Sequence, residues 1–329
     1  MLKNFWYPIL DKKEVKPGML TGVTRLGRKL AIWRDNSGTL NCIEDKCCHR
    51  GASLSTGKIN DGHASCPCHG FRYDGTGRCV LIPANGKVSP VPPNFKVESF
   101  IVCEKHDFIW LWNGEKRADL PEIPFFDNYS YSLSYAKRVD LLPMHYTRAI
   151  ENQLDVVHLP FVHHNTIGKG NRTLVNGPLI EPVGKEGFAV FVDNRVDAGQ
   201  LPLGAAEISP RKMTEQHIHF IFPGVWQNYI NDKLRIVIFF VPVDEDNTLI
   251  YMRYYQKMVK VPLIRELFNY AGIYFSKIIL FQDNRVVVTQ LPKKTWLTMS
   301  ENLIKGDSPI VLFRKMHDEF SKKVEEQLV

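Results

Sequence analysis

Two groups of side chains in this sequence have the types and spacing to hold metal. The first lies in residues 47–71, CCHRGASLSTGKINDGHASCPCHGF, which contain Cys47-x-His49 and, further on, Cys66-x-x-His69. Each half offers one thiolate and one imidazole from a tight loop. That set suits a [2Fe–2S] cluster with one iron held by two Cys and the other by two His, an exchange of ligands that raises the reduction potential. Gly51, Gly62 and Gly70 permit the turns that would fold both loops around one cluster. A Cys2His2 zinc site is the competing reading, although zinc sites more often pair their cysteines in closer C-x-x-C-type spacing.

The second group opens with residues 152–164, NQLDVVHLPFVHH, where one Asp and three His sit among Leu, Val, Phe and Pro. Buried lone pairs and carboxylates need a cation or donors to compensate them. Asp155 and His158 are three apart, so on a helix they share a face, and Asp155 could hold the free N–H of a liganding His158. Pro160 is expected to disturb that helix just after His158, bringing His163 from the following turn. Two His and one carboxylate on one side of an iron leave positions open, as in non-haem Fe(II) oxygen chemistry. Asp283, in LFQDNRVVVTQ, is the candidate carboxylate, because it shares a helical face with Ile279, Leu280, Val286 and Val287. A rival set, Glu215, His217 and His219 in TEQHIHF, would share one face of a strand. It reads either as a metal site, as a polar cavity wall, or as a solvated sheet face.

Those residues need elements to position them. The chain has 329 residues, 44% hydrophobic and 23% charged, which is ordinary globular composition with room for two domains. The net charge of +7 is modest and the basic runs are short, so nucleic acid is not an expected partner. The N-terminus lacks a secretory signal and no apolar stretch reaches the roughly 18 residues of a spanning helix. The best stretch, 267–281, is interrupted by Lys277. A soluble, cytoplasmic protein is expected. Seven cysteines, six of them between positions 42 and 79, argue for metal binding over a disulfide framework.

Short strand-like runs such as KLAIWRD, TLNCIED and FIWLWNG, punctuated by turn signals, fill the first part. A polar, Pro-containing linker is expected over 115–128. From about 130, runs such as HIHFIFPGVW and LRIVIFFVPV predict a second antiparallel sheet, with helix over 263–290 carrying Ile264, Leu267, Phe268, Ala271, Phe275, Ile278 and Ile279 at helical period. A cavity is expected to be lined from strands at 187–196, 217–230 and 235–242 and from the loop 199–206. The expected architecture is α+β, an all-β domain at 1–118 followed by a larger domain at 119–329.

The two Cys/His halves resemble a Rieske domain, and NQLDVVHLPFVH resembles the N-x-x-D-x-x-H-x4-H motif of Rieske non-haem iron oxygenases, matching at Asn152, Asp155, His158 and His163. FWYPI, FIWLWNG and the late Asp283 fall in that family's order, so the likeness covers nearly the whole chain. The shorter monooxygenases and demethylases are the better match by length. The second half of a disulfide seen in high-potential Rieske proteins is missing, since Ala52 stands opposite Cys68, and Cys48 and Cys68 depart from the residues common in the oxygenases. The resemblance implies a Rieske [2Fe–2S] cluster on Cys47, His49, Cys66 and His69. It also implies a mononuclear Fe(II) on His158, His163 and Asp283 in a helix-grip, START-like domain, with Asp155 and Asn152 as catalytic residues. It implies a head-to-tail homotrimer in which Asp155 links one subunit's iron to the next subunit's cluster. The expected function is terminal oxygenase, hydroxylating or demethylating a small organic molecule with O2. No nicotinamide or flavin loop occurs in the chain, so electrons would come from a separate ferredoxin or flavin reductase. Dihydroxylation, desaturation, and a non-catalytic electron carrier are the alternatives.

Overall fold

A computed structural model describes residues 1–126 and 133–326. The chain divides into two compact units between Ile123 and Pro124. The start of the expected linker belongs to the first unit, because the Trp6 indole donates to the Pro121 carbonyl at 2.9 Å. Residues 127–128 of that linker lie outside the described residues.

The first unit is built from three small antiparallel sheets. β1 (Phe5–Asp11), β9 (Val102–Lys105) and β10 (Phe108–Asn113) make one, in the order β1-β10-β9. β2 (Thr21–Arg25), β3 (Arg28–Arg34) and β4 (Leu40–Glu44) make the second. β5 (Lys58–Asn60), β6 (His63–Ser65), β7 (Arg72–Tyr73) and β8 (Cys79–Leu81) make the third. Trp33 of β3 donates its indole N–H to Gly62 in the β5–β6 turn at 2.8 Å, tying the second sheet to the third. The core below them gathers Trp33, Ile43, Leu54, Phe71 and Tyr73 around Cys47 and Cys66.

The second unit is a seven-stranded antiparallel sheet with helices. Its strands are β11 (Ser134–Leu142), β12 (Leu174–Val183), β13 (Gly187–Arg195), β14 (His217–Ile221), β15 (Val225–Asn231), β16 (Leu234–Pro242) and β17 (Thr248–Gln256). They lie in the order β11-β17-β16-β15-β14-β13-β12. α1 (Tyr146–Leu154) and α2 (Leu159–Val162) interrupt the sheet sequence, while α3 (Pro262–Val287) and α4 (Ser308–Glu326) follow it. Two particulars set the spacing of helix on sheet. A Cβ on Gly272 of α3 would meet the Tyr254 ring of β17 at 2.4 Å, so glycine allows the close approach. Trp226 of β15 donates its indole N–H to the Gln153 carbonyl of α1 at 3.0 Å.

The α+β expectation holds, and two local expectations change. Helix α1 ends at Leu154, with Asp155 extended at φ −71°, ψ 118°, so Asp155 and His158 do not share a helical face. The helix expected over 263–290 runs from Pro262 to Val287, and most of its periodic apolar residues face outward. Asn269, Ile273, Ser276, Leu280, Asp283 and Val287 are the buried residues of α3, whereas Leu267, Phe275 and Ile278 are exposed. The inward face alternates polar and apolar residues, and its Asn and Ser are hydrogen-bonded. Asn269 accepts from the Gln256 side chain at 2.8 Å, and Ser276 donates to the Gly272 carbonyl at 3.0 Å.

Candidate metal centres

The two Cys/His loops of the first unit are built alike. Cys47 N–H donates to the Ala52 carbonyl and Cys66 N–H to the Phe71 carbonyl, each at 2.8 Å. Gly51 N–H returns to the Cys47 carbonyl at 2.9 Å and Gly70 N–H to the Cys66 carbonyl at 3.0 Å. Both glycines sit at positive φ, +77° and +72°, where a side chain would be strained. Asp45 pins the first loop by accepting from Ser53 Oγ, Ser55 Oγ and Ser55 N, all at 2.6 Å.

This frame buries both thiols, at 2% exposure for Cys47 and 3% for Cys66, and leaves His49 and His69 exposed with ring centroids 4.8 Å apart. His49 stacks flat on Phe71 at 4.8 Å. Burial pushes the Cys66 thiol pKa up, and the adjacent Cys47 adds to it. Two buried thiols side by side are costly without a cation, so the donor set fits a two-iron cluster with its imidazole edge outward. The buried Tyr73 hydroxyl stands 3.1 Å from both Cys47 Sγ and Cys48 Sγ and accepts from Cys48 N at 3.2 Å. Burial raises its pKa, so it stays protonated and can donate to sulfur. Cys48 and Cys68 are exposed free thiols.

In the second unit, His158 Nε2, His163 Nε2 and an Asp283 oxygen converge. His158 Nε2 lies 3.2 Å from His163 Nε2 and 3.3 Å from Asp283 Oδ1, and His163 Nε2 lies 2.9 Å from that oxygen. Among the described residues this is the one such group of His, Cys, Asp or Glu. Asp283 Oδ1 is buried and has no hydrogen-bond partner, while Oδ2 accepts from the Gln153 amide at 3.2 Å. An orphaned carboxylate oxygen between two imidazole nitrogens is the arrangement a divalent cation satisfies.

The chain reaches this geometry by a turn. After α1, Asp155 Oδ1 accepts from Val157 N at 2.7 Å and His158 N at 3.2 Å, an Asx-type turn. Its other oxygen then stands 3.5 Å from His158 Nδ1. Pro160, expected to break a helix, instead lies in the first turn of α2, and His163 follows that helix's end. Gly168 lets the next loop fold back, since a Cβ there would lie 1.9 Å from the Leu159 carbonyl.

Burial alone would lower the His158 pKa, but Asp155 and Asp283 outweigh it and raise the value to about 9. The same contacts hold both carboxyls below their ordinary range against burial. Asn152 is half-buried and lines the same small cavity as Asp283 and Asn284. His164 is exposed and bonds the Phe161 carbonyl at 3.0 Å.

Two features were not read from the sequence. The Gln282 amide oxygen lies 2.8 Å from His163 Nδ1 and accepts from Thr166 Oγ1 at 2.9 Å, while its NH2 donates to Asn165 Oδ1 at 2.8 Å. That network makes Nδ1 the protonated nitrogen of His163 and frees Nε2. The signal was present, for Gln282 adjoins Asp283. The second feature is a buried ion network. Arg314 of α4 donates twice to Glu151 of α1, both at 2.8 Å, and once to Glu301 at 2.7 Å, with Arg148 also on Glu301 at 3.1 Å. The Arg314–Glu151 and Arg148–Glu301 partners are over 150 positions apart in the chain, so no local pattern announces them.

The rival set is not assembled. Strand alternation places His217 and His219 opposite Ile218 and Trp226, and Trp226 meets α1, so both His point away from the helices. His217 stacks on Tyr229, His219 packs against Phe126, and Glu215 pairs with Arg211 at 2.9 Å. Beside His158 lies a cleft of about 310 Å³, with Val156, Leu159, Pro160, Val190, Ile218 and Asn228 among its walls. Strands 187–196 and 217–230 line it as expected, and neither 235–242 nor the 199–206 loop takes part.

With this geometry described, comparisons with known proteins become informative. The Rieske [2Fe-2S] domain family matches residues 5–125, and the vanillate O-demethylase oxygenase C-terminal domain family matches residues 143–323. Methylxanthine N3-demethylase NdmB of Pseudomonas putida is 30% identical over 97% of this chain and 90% of its own. The solved structure of Pseudomonas putida CBB5 NdmB covers 98% of this chain and 92% of its own at 26% identity, with a TM-score of 0.77. Apo dicamba monooxygenase shares the fold at 19% identity, covering 99% of both chains with a TM-score of 0.74. Other relatives match partly. The matched region spans only 30% of the length of Protein TIC 55, chloroplastic, of Arabidopsis thaliana, at 32% identity over 49% of this chain.

Proposed function

The chain belongs to the Rieske non-haem iron oxygenases, and we propose that it is the terminal oxygenase of a multicomponent system that hydroxylates or oxidatively demethylates a small organic molecule. The observation carrying this reading is the orphaned Asp283 Oδ1 between His158 Nε2 and His163 Nε2. A bare electron carrier would need only the first unit.

In this reading Cys47, His49, Cys66 and His69 hold the [2Fe–2S] cluster, and His158, His163 and Asp283 hold Fe(II). Together the two groups supply electron transfer and O2 activation. The protein residues supply the rest. Three protein ligands would leave the iron with positions for O2 chemistry. Gln282 accepts from His163 Nδ1, and Asp155 Oδ2 stands 3.5 Å from His158 Nδ1, so both imidazoles turn Nε2 toward Asp283. Val156, Leu159, Pro160, Val190 and Ile218 give the substrate apolar contacts, and Lys169, Arg172, Asp193, Asn194, Gln216 and Asn228 line the same cleft with charged and amide groups for orientation. Asn152 keeps a polar side chain close to Asp283. Demethylation is the favoured reaction because the relative matching end to end is named a demethylase.

Electrons come from a ferredoxin or flavin reductase. The assembly is a head-to-tail homotrimer, with the exposed His49 and His69 edge of one subunit meeting Asp155 of the next. The side chain of Asp155 is 28% exposed, which suits such a contact. Localisation is cytoplasmic.

The test is Asp155→Asn in protein loaded with both irons and supplied with a reductase and methylated purine or methoxyaromatic substrates. The variant should keep both metals and its oligomeric state yet release almost no formaldehyde. Wild-type turnover by Asp155→Asn would remove its linking role, and no formaldehyde or hydroxylated product from wild type on any candidate would remove the activity.

A further inference from the structure

Helix α3 shows solvent a face unlike that of an ordinary surface helix. Leu263 is 87% exposed, Leu267 70%, Tyr270 68%, Tyr274 54% and Phe281 68%, at spacings of three, four and seven that put them in one stripe. The stripe is not displaced core. The opposite face is fixed inward by Gly272 against Tyr254, by the Asn269–Gln256 hydrogen bond and by buried Asp283. An exposed apolar stripe of this extent marks a contact surface.

The surrounding charge says what kind. Between positions 257 and 294 there are seven Lys or Arg and two acids, Glu266 and Asp283. Asp283 is buried, and Glu266 is paired with Arg265 at 2.8 Å. Lys260, Lys277, Arg285 and Lys293 therefore border the stripe with no exposed carboxylate on the helix left to balance them. The Lys277 ammonium lies 5.8 Å from the Tyr274 ring centre, within the reach of a cation over an aromatic face. Pairing this face with the same face of a second copy would bring like charges together. An anionic lipid surface offers headgroups to the cations and acyl chains to Leu263, Leu267 and Phe281, with Tyr270 and Tyr274 at the boundary.

We propose that the outward face of α3 seats the protein on anionic membrane. The helix lies in the interface plane over its 26 residues, about 39 Å at 1.5 Å per residue. No helix among the described residues is long and apolar enough to cross a bilayer, so the contact is peripheral. This surface is independent of the oxygenase reading.

The experiment is vesicle flotation of the full-length, cofactor-loaded protein, using phosphatidylcholine–phosphatidylglycerol vesicles and pure phosphatidylcholine vesicles. Wild type should float with the anionic vesicles only, and added salt should release it. Lys260→Ala and Arg285→Ala should each weaken partition about fivefold, the size of one basic contact near the surface. Leu267→Glu with Tyr270→Glu should abolish it, with unchanged circular dichroism and cluster absorbance showing an intact fold. The proposal is overturned if wild type floats with neither vesicle or equally with both. It is also overturned if the double variant only dissolves a wild-type self-association without any vesicle binding.

Discussion

The two candidate metal sites are assembled in opposite ways. The Cys47, His49, Cys66 and His69 set is closed by residues 47–69, through two loops with the same hydrogen bonds and a glycine at the same place in each. The His158, His163 and Asp283 set joins a turn, the end of a short helix and the last turns of a long one, with Asp283 arriving from 120 positions beyond His163. A local site depends on turn chemistry. A dispersed site depends on packing, here on the Glu151–Arg314 network and on Gln282 bridging α3 to the loop after α2. Damage to packing should therefore silence the second site while sparing the first.

The largest effect is expected from Asp283→Ala, which should remove the mononuclear metal and all turnover yet leave the cluster's visible spectrum intact. Loss of the cluster as well would mean that the two sites are not independent. Next comes Glu151→Ala. Breaking a buried ion pair costs up to about 3–5 kcal/mol, and here Arg314 loses both bonds to Glu151 and keeps only Glu301. Thermal unfolding followed by far-UV circular dichroism should show the second unit melting first, while cluster absorbance persists to higher temperature. A single coincident transition would contradict that separation. Smaller again is Gln282→Leu, expected to weaken Fe(II) binding at the second site about 10–100-fold, the usual cost of losing a partner behind a liganding imidazole. Titration calorimetry would measure it, and Gln282→Glu should restore affinity. The smallest effect is expected from Tyr73→Phe, which removes a hydrogen bond to cluster sulfur. It should lower the cluster's reduction potential without loss of iron, as read by potentiometric titration.

The same contrast governs what the sequence discloses. The first site is legible because spacing, ligand type and turn glycines all lie in one window. Asp283 is legible for a different reason, since a carboxylate next to Leu280 and Val287 on a helix needs a counter-charge. Asp155 reads correctly as a neighbour of His158 and wrongly as helical, because Asp serves an Asx turn as readily as a helix face. The face of α3 misleads because counting apolar residues assumes they point inward. Here Asn269, Ser276 and Asp283 point inward, and the apolar residues form a surface. The Glu151–Arg314 pair and the His163–Gln282 bond join residues more than 100 positions apart, and no periodicity reports such contacts.

The central claim is an open iron site at His158, His163 and Asp283 beside an independent cluster in one chain. Electron paramagnetic resonance of anaerobic, dithionite-reduced protein exposed to nitric oxide tests it most directly. The predicted spectrum contains a reduced-Rieske signal together with a high-spin iron–nitrosyl signal that Asp283→Ala removes. A Rieske signal alone in iron-replete protein would contradict the account.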